Sequence, residues 1–202
     1  MKKSLLCAAA TLFASAAACA APIQFIQTGF GAGTLDGVAF GNLAPVAFTI
    51  RATSDTANVQ SCGANCVTLV NQSATIEIGT LGTFGILSAT RFFSVPTAIG
   101  FSRSGVSQSD LYNLSSANNA WDMTTSIGPI NLTGRLLQWD RDPQIDTTGG
   151  ILLFPDLSNI QGTFQAIVDP TSVVPVPGSL LLLGSGLAGL LAIRRGRKPA
   201  MA

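Results

Sequence analysis

The sequence predicts an all-β outer domain, an antiparallel β-sandwich of jelly-roll or immunoglobulin-like type, with a short apolar segment on either side of it. Three observations predict it. Apolar and polar residues alternate with a period of two in the middle of the chain. Turn-forming residues recur between these short runs. The two long uncharged apolar runs lie only near the ends, so the middle has to bury a core of its own.

Asp36-Gly37 stands between Gly33-Thr34-Leu35 and Val38-Ala39-Phe40, a hairpin signal. From Phe48 to Thr53, alternation puts Phe48, Ile50 and Ala52 on one face and Thr49, Arg51 and Thr53 on the other. Ala74 to Ile78 repeats the pattern, and Asn71-Gln72-Ser73 reads as the short turn between it and Val67 to Val70. Further strands are expected at 91–94, 98–102, 150–154 and 162–168. Residues 110–123 have weak helical spacing and are the one helix expected within the outer domain. The expected core is Phe25, Phe48, Phe84, Phe92, Phe101, Trp139, Phe154 and Phe164. Asp169-Pro170-Thr171 breaks the last strand, which places the domain at 21–171.

A chain of 202 residues holds one such domain plus end segments. Its net charge of +1 hides an uneven distribution. Six of the 11 basic residues lie at the ends, whereas all 10 acidic residues lie between Asp36 and Asp169. The middle therefore carries a net charge of −5, with no Lys and no His. A negative, Lys-free body argues against nucleic acid as a partner, because phosphate binding needs a basic footprint.

At the N-terminal end, Met1-Lys2-Lys3 is a positive region, and Ser4 to Ala18 is a stretch of small and apolar residues. Ala18-Cys19-Ala20 places small residues at both positions that signal peptidase requires. Residues 1–20 are thus expected to be a signal peptide cleaved after Ala20. A lipoprotein box over Ala16 to Cys19 is the competing reading; it has Ala16 where Leu is usual.

At the C-terminal end, Val173-Val174-Pro175-Val176-Pro177-Gly178 leads into an uncharged run that ends at Ile193. As a helix, residues 178–193 would span about 24 Å, slightly less than a hydrocarbon core of about 30 Å. The upstream apolar residues make up the difference, and basic side chains snorkel. Arg194, Arg195, Arg197 and Lys198 form a basic stop that stays on the cytoplasmic side, which leaves everything upstream outside. Gly184, Gly186 and Gly189 weaken a helix in water but let helices approach closely in lipid.

A Pro-x-Pro signature, a short Leu- and Gly-rich helix and a terminal Arg cluster, in that order, resemble the PEP-CTERM sorting signal. The resemblance covers residues 172–202. Family members usually read Val-Pro-Glu-Pro. Here Val174, Pro175, Val176, Pro177 and Gly178 depart at Val176 and are closer to the variant reading Val-Pro-Leu-Pro-Ala. The resemblance implies a Gram-negative host that makes extracellular polysaccharide. It also implies processing by an exosortase near Pro175 to Pro177, then release or transfer to the cell surface.

Chemistry within the domain is sparse. Cys62 and Cys66 are the cysteines left after cleavage, and in an oxidising compartment a disulfide pinning a hairpin end is expected. Asp140, Asp142 and Asp146 form the best acidic cluster and are weak Ca²⁺ candidates, with Gln144 and Ile145 against them. Without His, a Ser-His-Asp or Cys-His nucleophile cannot form. No cofactor and no catalytic residue is expected. A hydrolase would need two carboxylates facing each other across a cleft. A lectin-like module would need Trp121 or Trp139, or Tyr112, exposed for stacking on sugars, and burial of both tryptophans would sink it. The expectation is a non-enzymatic exported surface or matrix protein. Its partners would be signal peptidase, an exosortase, transiently the inner membrane, and extracellular polysaccharide.

Overall fold

The computed structural model describes residues 20–106, 109–115 and 121–169. Strand β1 (Pro22–Gly31) starts the domain: Ile23, Phe25 and Gln27 point inward, while Pro22, Gln24 and Phe30 are exposed. It pairs along its whole length with β4 (Val46–Asp55), from Pro22 opposite Asp55 to Gly31 opposite Val46. Beyond β4 lie β7 (Ser73–Ile78) and β8 (Gly82–Gly85). Inward Phe48, Ile50, Ala52, Ala74, Ile76 and Ile78 are all buried, as the alternation predicts.

The other flank of β1 carries β15 (Leu157–Val168), then β12 (Ile127–Leu136) and β11 (Asp110–Ser115). Next come β10 (Ala98–Arg103), β9 (Thr90–Val95), β6 (Cys66–Val70) and the edge strand β5 (Gln60–Gly63). The result is one antiparallel sheet of 11 strands. Sheets this wide curl. β1 and β9 are five strand steps apart, which is about 24 Å in a flat sheet, yet the Phe25 and Phe92 rings stack at 4.5 Å. Phe48 of β4 likewise meets Tyr112 of β11 at 5.2 Å. Ser54 Oγ donates to the Val70 carbonyl at 2.7 Å, joining β4 to β6 directly. The sheet therefore folds over on itself as a half-barrel, giving the two facing layers of a sandwich around one core.

A second, four-stranded sheet has the order β13 (Ile145–Thr147), β14 (Gly150–Leu153), β2 (Gly33–Leu35), β3 (Val38–Phe40). β2 and β3 are the hairpin predicted at Asp36-Gly37, with φ of 49° and 78° at its two turn residues. Phe40 and Trp139 both pack against Phe154, which touches Phe48, so this sheet closes one end of the core.

Two expectations are corrected. Residues 110–115 are strand β11, not helix, and Trp121 to Met123 are not helical either. Leu111, Tyr112 and Leu114 are all buried, so the strand lacks the period-two signature that would have identified it. Phe84 is only half-buried at the sheet edge; the other seven expected core aromatics are buried. Asn71-Gln72 does not join hairpin partners, since β6 pairs with β9 while β7 pairs with β4. It carries the chain from one layer to the other.

Candidate functional site

The two ends of the domain leave it together. Ile23 pairs with Val168, and the Asp169 amide donates to the Pro22 carbonyl at 3.0 Å. The Ala21 amide donates to Thr56 Oγ1 at 3.0 Å, and the Thr56 amide returns a bond to the Ala21 carbonyl at 2.9 Å. Among the described residues, Ala21, the residue that the cleavage expected after Ala20 would leave first, is the first to pair. Ala18, the sorting residues Val174 to Gly178, the apolar run and the basic stop Arg194 to Lys198 lie outside the described residues. Among the described residues, no helix is long and apolar enough to cross a membrane.

The disulfide between Cys62 and Cys66 is present, with Cα atoms 5.0 Å apart. It closes the β5–β6 hairpin, whose turn residue Asn65 has a φ of 55°.

The acidic loop is organised differently from the Ca²⁺ site that was weighed for it. Asp140, Asp142 and Asp146 are exposed, and no cluster of three metal-ligating side chains forms among the described residues. The loop's inward carbonyls go instead to a guanidinium. Arg103, buried at the end of β10, donates Nε to the Pro143 carbonyl at 2.7 Å. Its Nη2 reaches the carbonyls of Gln138 at 2.8 Å, Arg141 at 3.1 Å and Trp139 at 3.3 Å. A planar five-donor cation suits this set of convergent acceptors. Burial lowers the Arg103 pKa, and the negative charges of Asp140 and Asp142 oppose that shift.

The aromatics proposed for sugar stacking are in the core. Trp139 is fully buried, with its indole N–H donating to the Leu111 carbonyl at 2.8 Å. Trp121 is 8% exposed and bonded to the Thr125 carbonyl, and Tyr112 is fully buried with its hydroxyl on the Thr28 carbonyl. A lectin-like module that stacks sugars on these rings is therefore ruled out. Asp140 and Asp156 line one cleft of about 520 Å³, a carboxylate pair that their spacing in the sequence did not single out. Asp156 is engaged there as acceptor for the Gln138 amide at 2.8 Å.

Sequence reasoning missed one feature. On the outer face of β6, β9, β10 and β11, register aligns Thr68, Phe93, Gly100 and Asn113 in one row. Val70, Arg91, Ser102 and Asp110 form the next. A groove of about 440 Å³ lies over these rows, with the disulfide on its wall. Gly100 lies beneath Phe93 and Asn113: a Cβ there would stand 2.3 Å from the Phe93 ring and 2.5 Å from Asn113 Oδ1. The available signal was Phe92-Phe93, where period-two alternation sends one ring inward and the next outward.

A family model for the PEP-CTERM protein-sorting motif matches residues 173–198. No curated protein and no solved structure gave a match to the chain. The motif follows directly on the expected end of the domain, and it implies an exported, membrane-passing protein processed by an exosortase on its way to the cell envelope. The β-domain therefore belongs to a PEP-CTERM domain-containing protein.

Proposed function

We propose that the chain is a non-enzymatic surface or matrix protein, delivered by its tail and associated with extracellular polysaccharide. In this reading signal peptidase removes residues 1–20, and residues 178–193 hold the chain in the inner membrane with the β-domain in the periplasm. An exosortase then cuts near Pro175 to Pro177. The supporting observation is the sorting motif at residues 173–198, placed just beyond a domain whose last strand ends at Val168.

The fold suits such handling. Six residues, and so seven Cα steps, separate Val168 from Pro175, a reach of at most about 25 Å. The β1/β15 end of the domain would therefore stay near the membrane until the tail is cut. The sparsely charged polar composition and the absence of His fit a binding or structural body better than a hydrolytic one. The test is fractionation of the host with and without its exosortase. Recovery with the extracellular polysaccharide only when the exosortase is present supports the proposal. Recovery in the inner membrane in both strains refutes it.

A further inference from the structure

We propose that the groove lined by Arg91, Phe93, Asp110 and Asn113 is a binding site for a neutral, polyhydroxylated ligand, a sugar residue. It is a different surface from the buried aromatics excluded above. It rests on the matrix reading only for where the sugar comes from.

The groove's size falls in the range of about 300 to 1,000 Å³ typical of small-ligand clefts. Its chemistry is mixed in a particular way. Arg91 is held in place by two hydroxyls: its Nε donates to Ser102 Oγ at 3.1 Å and its Nη2 to Ser109 Oγ at 3.2 Å. Those bonds leave its remaining N–H groups for a ligand. Asp110 accepts from Asn113 Nδ2 at 2.8 Å through one oxygen, which leaves the other as an acceptor. Donors and acceptors thus stand side by side, the arrangement that vicinal hydroxyls satisfy, since each hydroxyl both donates and accepts. Phe93 supplies an apolar wall for the C–H face of a ring. One cation and one anion cancel, so a strongly charged ligand of either sign meets a like charge, which favours a neutral one.

Asn113 Oδ1 is buried with no hydrogen-bond partner among the described residues. Most buried polar atoms are paired, and Asn113 Oδ1 is one of a few exceptions in this domain. Gly100 permits the arrangement, because any larger residue would push Phe93 and Asn113 apart.

The test uses the mature protein released by its host. It is titrated calorimetrically with neutral oligosaccharides made by partial hydrolysis of the host's extracellular polysaccharide. Wild type should bind. Asp110→Ala and Gly100→Ala should each weaken binding at least tenfold. Asn131→Ala, in a shallow cavity beside Thr28 and Phe30, should leave it unchanged. Because a variant can fail to fold, amide shift changes are also mapped on the wild type. They should centre on the outer face of β9, β10 and β11.

Absence of binding, shift changes elsewhere, or a groove that takes peptides but not oligosaccharides would each overturn the proposal. The two readings fail separately. Groove variants that still co-sediment with polysaccharide as wild type does would end this proposal and leave matrix association standing. Oligosaccharide binding in the groove without co-sedimentation would do the reverse.

Discussion

Gly162→Ala tests how the two layers are locked together. Tyr112 lies across the interface, and its hydroxyl donates to the Thr28 carbonyl at 2.9 Å. A Cβ at Gly162 would stand 2.3 Å from the Tyr112 hydroxyl oxygen, 2.3 Å from the Thr28 carbonyl oxygen and 3.2 Å from Leu114 Cδ2. Contacts that short force a shift of about an ångström, and overpacking of this kind costs about 1–3 kcal/mol. The shift also breaks a buried hydrogen bond, adding about 1–3 kcal/mol. The expected destabilisation is about 3–5 kcal/mol, a large share of the 5–15 kcal/mol typical of a domain, roughly.

The assay is urea denaturation followed by the fluorescence of the two buried tryptophans. Tyr112→Phe alone should cost about 1 kcal/mol, the net value of one hydrogen bond. The double variant should cost less than the sum by about 1 kcal/mol or more, because removing the hydroxyl relieves one of the two clashes. A Gly162→Ala protein within about 0.5 kcal/mol of wild type, or strict additivity in the double variant, would refute this packing.

Tyr112 is the sole tyrosine, and burial raises its pKa above the ordinary value of 10.0. The protonated form is favoured in the fold, so this contribution is fully present below about pH 10 and is lost as pH rises toward the folded pKa. Phenolate absorbance should appear only together with unfolding; reversible phenolate formation in the folded protein near pH 10 would contradict it. Arg103→Met should cost about 2–4 kcal/mol, since four carbonyl acceptors lose one shared donor group, and thermal melting should be unmoved by Ca²⁺ or a chelator. A rise in melting temperature with Ca²⁺ would restore the metal reading of Asp140, Asp142 and Asp146. Replacing Cys62 and Cys66 by Ser should cost at most about 2 kcal/mol, given the short loop. Hydrogen exchange should speed up in β5 and β6 alone, and faster exchange in β1 or β4 would show a wider role.

The strands with one wet face were legible. Phe48 to Thr53 and Ala74 to Ile78 alternate because one side meets the core and the other water. β11 was not legible, because burial of Leu111, Tyr112 and Leu114 erases the alternation. Pairing order was beyond reach for a related reason: nothing local says that β6 joins β9 rather than β7. The disulfide could be read from two cysteines in a turn, since loop closure is a local property. The hold of Arg103 on the loop at 138–143 was not legible, because this cation lies 35 residues away in sequence from the nearest acceptor it serves. The groove needs three strands in register before Arg91, Phe93, Asp110 and Asn113 come together. The tail was the most readable part, as its three pieces are consecutive and their order is the signal.

The most direct test of the central claim is the intact mass of the protein recovered outside the cell, beside that from a strain lacking the exosortase. The account expects a chain that starts at Ala21 and ends near Pro175 to Pro177 in the first strain. In the second it expects a chain that starts at Ala21 and keeps the tail. A tail retained through Ala202 in both strains, or removed in both, would contradict exosortase-dependent sorting.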